Sequence, residues 1–346
     1  MNNEKKLSFA SDYMEGAHPL ILRRLAETNL EKTAGYGLDE YSKAARNKIR
    51  AACHTPDAEV FFLAGGTQAN AVMISALLRP WQGVISADSG HISVHEAGAI
   101  EYGGHKVLAL PHRDGKLSAE TVRECMEEYL QDANRDHMVM PGMVYLSHPT
   151  EYGTLYSLAE LRAISDVCRH YRIPLYLDGA RLAYALACPE NEITLPGLGA
   201  LCDAFCIGGT KCGALFGEAV VIPDRQAVPH LFTMIKQHGA LLAKGRITGL
   251  QFDVLFTDDL YLRIGRPAIE AAGRIREALK AKGYDLAPPS PTNQLFLRME
   301  KPQAAALAEK VEMSFIEQTD DGRVIMRIVT SWAATPEETD RLIACL

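Results

Sequence analysis

Apolar and polar positions change period several times along this chain. Near the start, a turn-rich arm (SDYMEGAH) leads into a predicted helix from Pro19 to about Thr28. A glycine-bounded loop around Tyr36 follows. Tyr41, Ala45, Ile49 and Ala52 then recur at helical spacing, predicting an amphipathic helix over Asp39–Ala52. From Glu59 short apolar runs alternate with helical text. EVFFL, VISAD, KVLALP, MVYLS, IPLYLD and AFCI read as strands. The intervening helices start near Thr67, at His91, after the capping Ser118, and at LAELRAISDVCRHY. Strand and helix alternating through short links predict a predominantly parallel sheet with helices on both faces. A further strand, Ala219–Ile222, closes a hairpin and adds an antiparallel member.

Beyond Pro223 the text predicts helices over 225–243, 249–256 and 259–282. Pro288, Pro289 and Pro291 then break the chain. LFLRM, a helix from Pro302, and VIMRIVTSW predict a small α+β unit. The expected fold class is therefore α/β: a large domain over 1–255 with a mostly parallel seven-stranded sheet flanked by helices, and a small C-terminal α+β domain over 256–346.

Composition narrows the function classes. The chain has 346 residues, 47% hydrophobic and 23% charged, an ordinary globular balance. A net charge of −7 spread along the chain opposes a nucleic-acid partner, which requires a basic face. No run approaches the ~18 apolar residues of a membrane span. The N-terminus lacks the apolar core of a signal peptide, so a cytoplasmic location is expected. Eight cysteines are scattered without a CxxC pair, and the spacing of Cys202, Cys206 and Cys212 fits no common zinc pattern. They read as free thiols of a reducing compartment, and no metal is expected.

Candidate chemistry gathers at strand ends, where open parallel sheets bind ligands. The strand Ala204–Ile207 meets Gly208–Gly209 and then presents Thr210 and Lys211. An ammonium between apolar runs must be paired, neutralised or chemically used, and a neutral amine is the nucleophile that forms a Schiff base. A surface lysine in a turn is the plain alternative. After EVFFL, the turn AGGTQAN offers close backbone approach at Gly66, a hydroxyl at Thr67 and free N–H groups to an anion. It is neither a dinucleotide fingerprint nor a Walker loop. His91 enters a helix after VISAD. Asp178 ends an apolar strand, with Arg181 three residues on as a structural partner. Lysine, phosphate-suited turn and strand-end acid together match what pyridoxal phosphate requires: an aldehyde-capturing amine, a phosphate cradle, and an acid that keeps the pyridine nitrogen protonated.

FASD, YGLDEYS, FLAGGTQAN, the GH…HEAGA block, TEYGTLYSL, LYLDGARL, the Thr–Lys turn and MRIVTSW resemble the fold-type-I, pyridoxal-phosphate-dependent threonine aldolases of the β-eliminating lyase group. The resemblance covers nearly the whole chain. It implies that Lys211 holds the cofactor as a Schiff base, that Asp178 pairs with its pyridine nitrogen, and that Gly66 and Thr67 bind its phosphate. His91 would stack on the ring, and Arg181 would reach the phenolic oxygen and the substrate carboxylate. Ser11 and Arg327 would complete the carboxylate site. Thr210 stands where the family commonly has serine. Tyr36 and Arg246 fall where a neighbouring subunit often completes the pocket, so a homodimer or homotetramer with shared sites is implied. His137 is the candidate second histidine, contacting the substrate hydroxyl. The implied reaction is retro-aldol cleavage of threonine and related β-hydroxy-α-amino acids. The chain departs from the pattern at Tyr152 (for asparagine), at AKGRITG around Arg246, and at His95. β-Elimination, transamination, and a non-catalytic cofactor-binding homologue use the same lysine and aspartate. A nicotinamide enzyme is disfavoured by the missing glycine fingerprint.

Overall fold

A computed structural model describes residues 6–346. The strands in chain order are β1 (Leu7–Ser8), β2 (Glu59–Leu63), β3 (Gln82–Ala87), β4 (Val107–Leu110), β5 (Met140–Ser147), β6 (Leu175–Asp178), β7 (Ala204–Gly208) and β8 (Glu218–Ile222). They continue as β9 (Asp285–Leu286), β10 (Gln294–Met299), β11 (Val311–Glu312), β12 (Ser314–Gln318) and β13 (Val324–Val329). The large sheet has seven strands in the order β2-β8-β7-β6-β5-β3-β4. β8 runs antiparallel to both β2 and β7, and the remaining neighbours are parallel. The expected architecture and its antiparallel hairpin strand are thus present.

Each face of this sheet carries its own apolar layer. Val60, Ile85, Val144, Leu146, Leu175, Leu177, Phe205 and Ile207 belong to one buried cluster, while Val84, Met143, Tyr145, Tyr176 and Cys206 belong to another. Alternate residues of β3, β5, β6 and β7 therefore point to opposite layers, the period-2 signature of strands buried on both faces. Caps fix the flanking helices. Asp39 accepts from the Ser42 N–H, Ser118 from Thr121, and Ser157 forms a capping box with Glu160.

A four-stranded antiparallel sheet, β12-β13-β10-β9, forms the small domain. Its core includes Leu295, Leu297, Val324 and Ile328, and it also takes Leu7 and Phe9 from the N-terminal arm. The arm is bound there by backbone pairing of β1 with β11, by Phe9 N–H on the Glu312 carbonyl, and by Val329 N–H on the Phe9 carbonyl.

Three expected helices are shorter or divided. Residues 225–243 hold a helix only over Leu231–Gln237, because Pro229 lacks a donor and His230 takes a left-handed φ of 62°. Residues 259–282 split into Leu260–Arg263 and Arg266–Ala281, with Pro267 in the first turn of the second helix, where its missing N–H costs nothing. The helix after His91 divides into His91–Val94 and Ala99–Tyr102, since Ala97 and Gly98 adopt φ of 50° and 71°. The helix expected from Gly249 instead begins at Arg246.

Candidate active site

Parallel strands deliver their carboxyl ends to one edge, and there Gly66, Thr67, His91, Asp178, Arg181, Thr210 and Lys211 line a single cleft. Its first wall is the turn after β2. The helix Gly66–Leu77 starts at Gly65 with no side-chain cap, leaving its first N–H groups free. A Cβ built on Gly65 or on Gly66 would meet nothing within 4 Å, so both glycines face open space. An uncapped helix N-terminus opening on a cleft is an anion site.

Asp178 ends β6, 5% exposed. Its Oδ2 accepts from Asn70 Nδ2 at 3.0 Å and from the Tyr145 hydroxyl at 2.8 Å, and its Oδ1 accepts from the Ala180 N–H at 2.9 Å. Three donors hold this buried carboxylate without an arginine. The plain structural alternative, an Asp178–Arg181 pair, is absent: Arg181 turns to the N-terminal arm instead. Its Nε donates to Asp12 Oδ2 at 2.6 Å and its Nη2 to Asp12 Oδ1 at 3.0 Å, and Asn293 adds a third bond to Asp12 at 2.9 Å. Burial works to raise the Asp12 carboxyl, but the charges of Arg181 and Lys211 outweigh it and hold it below the usual carboxylate range.

His91 is oriented by two carboxylates. Glu151 Oε1 accepts its backbone N–H at 2.8 Å, and Glu96 Oε1 lies 2.7 Å from its Nδ1. Glu96 also accepts from Asn70 Nδ2 at 2.7 Å, which links the histidine to Asp178 through one amide. Burial pushes Glu151 up, against a hydrogen bond from Ser147.

Arg327 extends from β13 opposite Phe296 and Ser314. Nη1 donates to Gln294 at 2.9 Å and Nη2 to Ser314 at 3.4 Å, while Nε is buried without a partner. Among the described residues it forms no ion pair. Burial, and then the nearby Arg181 charge, lower its pKa to about 10. The Ser11 hydroxyl is likewise buried and unpartnered. An unpartnered guanidinium nitrogen in no ion pair calls for an anion.

Three expected site residues stand elsewhere in the chain. His137 lies in the 3-10 turn Arg135–His137 that precedes β5 and is exposed. The eight residues of β5, about 26 Å at ~3.3 Å each, separate it from Ser147 at the cleft, so it does not reach its own chain's substrate. Arg246 donates to the Thr28 carbonyl at 3.0 Å and to the Glu31 carbonyl at 3.2 Å. Tyr36 stacks under Lys236, 4.8 Å from its Nζ, and lines a second cavity with Phe61 and Phe232. Conversely, Asp12, Asn70, Glu96, Tyr145, Glu151 and Glu218 belong to the site and were not singled out by their local sequence. Asp12 carried the one available signal, its place beside Ser11.

The residues present fit pyridoxal phosphate. An open, uncapped helix start suits the phosphate, a buried three-donor carboxylate suits a protonated pyridine nitrogen, and an amine stands in the same cleft.

Comparison with known proteins agrees. The chain belongs to the beta-eliminating lyase family, whose profile matches residues 8–311. It is 33% identical over 305 residues to the low specificity L-threonine aldolase of Pseudomonas aeruginosa, covering 86% of each chain. It is 32% identical to that of a Pseudomonas species over 89% of this chain and 88% of the relative. Among solved structures it resembles Leishmania major threonine aldolase at 43% identity and a TM-score of 0.94, covering 97% of both. Aspartate aminotransferase of Thermus thermophilus, at 17% identity and a TM-score of 0.73, shares the fold.

Proposed function

We propose that this chain is a pyridoxal-phosphate-dependent carbon–carbon lyase that cleaves L-threonine, L-allo-threonine and related β-hydroxy-α-amino acids to glycine and an aldehyde. The observation that carries the reading is Arg327, a partly buried guanidinium in no ion pair among the described residues, with Nε unpartnered and its charge close enough to bear on Arg181 in the cleft of Lys211 and Asp178. A partly buried cation of this kind suits an amino-acid carboxylate through its planar fork. Likeness to the threonine aldolases supports the choice of substrate.

The cofactor, when bound, supplies an electron sink for the bond that breaks. Lys211 would hold it by its amine, Gly66 and Thr67 would bind its phosphate, and Asp178 would keep its ring nitrogen protonated. Ser11 and Arg327 would grip the substrate carboxylate and so fix the orientation of the substrate's Cα in the cleft. Arg181, its Nε and Nη2 committed to Asp12, borders that grip as a rigid wall. His91 has Nδ1 occupied by Glu96, which leaves Nε2 to take the β-hydroxyl proton.

A second copy of the chain completes the pocket with Tyr36 and Arg246, and the protein works as a homo-oligomer in the cytoplasm. Among the described residues no helix is long and apolar enough to cross a membrane. The test is the product formed from threonine by purified protein with pyridoxal phosphate. Acetaldehyde with glycine is expected. 2-Oxobutyrate with ammonia would assign β-elimination on the same scaffold, and no turnover with bound cofactor would assign a non-catalytic role.

A further inference from the structure

The buried carboxylates around the cleft are held by groups of the chain itself. Asp12 is paired with Arg181, Asp178 has three donors, and Glu96 and Glu151 share His91. Glu218 is 3% exposed, lines the cleft with Lys211, and is in no ion pair among the described residues. It opens β8, where its Cα pairs with Leu63 of β2 on one side and Gly208 of β7 on the other. Leu63 leads into the phosphate turn and Gly208 into the lysine turn, so Glu218 sits at the root of both. Its Oε2 accepts the Gly209 N–H at 3.1 Å. The Thr210 hydroxyl also bonds to it, yet burying an acid this deeply without a cation in an ion pair is costly, and its retention needs a cause.

We propose that Glu218 is a positioning residue for the lysine: its carboxylate supplies the counter-charge that keeps the proton on the nitrogen linking Lys211 to the cofactor. This rests on the reading that Lys211 carries pyridoxal phosphate. Lys211 is the cation that bears on Glu218; Asp178 on β6 is the facing anion. The other titratable groups around it are Cys206 on β7, Tyr176 on β6, and Tyr261 of the helix Leu260–Arg263, each pushed well up by burial and so uncharged near neutrality, and Cys212, pushed up to about 12. The helix Arg246–Leu255 presents Thr248 and Gln251 to the adjoining turn, neither of which titrates. Burial raises Glu218 to about 7, with the Thr210 hydroxyl and the Lys211 charge pulling it back. Its charge is thus responsive in the range where the enzyme would work.

The experiment is a pH titration of the visible cofactor band in the holoprotein, for the unaltered chain, Glu218→Gln and Glu218→Asp. Gln keeps the acceptor for Gly209 and removes the charge. The midpoint of the band should fall by about one pH unit or more in Glu218→Gln, the scale of a lost opposite charge at close range. It should recover at least half of that shift in Glu218→Asp. A Glu218→Gln midpoint that stays put or rises overturns the proposal. If Glu218→Gln does not retain cofactor, Glu218→Ser, which removes the charge without adding bulk, is judged by the same shift. Absence of a borohydride-sensitive band in the unaltered protein would instead overturn the cofactor reading, so the two failures are distinguishable.

Discussion

Asp12 and Arg181 are 169 residues apart in the chain and meet in a two-point ion pair that joins the N-terminal arm to the end of β6. Both side chains are nearly or fully inaccessible, 0% exposed for Asp12 and 12% for Arg181. Removing one partner of a buried pair leaves the other charge stranded, which typically costs about 3–5 kcal/mol. Asp12→Ala should lower the unfolding free energy in urea by that amount. The pH dependence follows from the sign of the shift. Because the folded carboxyl lies below its unfolded value of 3.8, its stabilisation is present above that pH and lost as pH falls through the folded value. Asp12→Asn should therefore flatten the stability profile below about pH 4, and an unchanged acid limb would deny the pair its role.

Arg327 predicts the opposite division. As a partly buried guanidinium in no ion pair among the described residues it does little for the fold. Arg327→Ala should leave urea stability unchanged or raised and retain the cofactor band. It should lower kcat/KM for threonine by about 30- to 1000-fold, corresponding to ~2–4 kcal/mol for a lost charge-assisted contact, and Arg327→Lys should restore only part. Native kcat/KM in the folded alanine variant removes Arg327 from the site.

At Asp178, three donors converge on the two oxygens. Asn in its place turns an NH2 toward some of them and cannot hold a ring-nitrogen proton. Turnover should fall by about 100-fold or more while cofactor remains bound, the scale of losing a preorganised charge interaction. Near-native turnover would make the carboxylate structural.

For Glu96, which fixes His91 through Nδ1 while receiving Asn70, the expectation concerns orientation. Glu96→Gln should reduce kcat more than it raises KM for threonine, and should shift the pH profile of kcat. A change confined to KM would mean that His91 does not move the substrate proton.

What could be read from the sequence was whatever is locally encoded. A strand end followed by Gly-Gly-Thr, Asp-Gly or Gly-Gly-Thr-Lys carries its geometry within a few residues, so Gly66, Thr67, Asp178, Thr210 and Lys211 were legible. Their convergence followed from strand alternation alone. Glu96, Glu151 and Glu218 were not legible, because a carboxylate one turn past a histidine or seven residues past a lysine acquires meaning only from strand register and a broken helix. The break at Ala97–Gly98 ends the helix that begins at His91 and lets Glu96 close on its ring. Arg181 shows the limit of proximity in sequence: Asp178 lies three residues away, yet Asp12 takes the guanidinium.

The N-terminal arm also has a temporal meaning. Residues 7–10 hydrogen-bond to 310–314 and to Val329, and Ser314 donates to the Ala10 carbonyl across 304 residues. During synthesis these residues leave the ribosome about 300 residues ahead of their strand partners. The strands of the large sheet can pair while the chain is still growing, but Ser11 and Asp12 cannot take their places until the final strands are made. On the proposed reading, a nascent chain would carry its lysine and its phosphate turn well before it had a place for the substrate's carboxylate, so an incomplete protein would not act on amino acids.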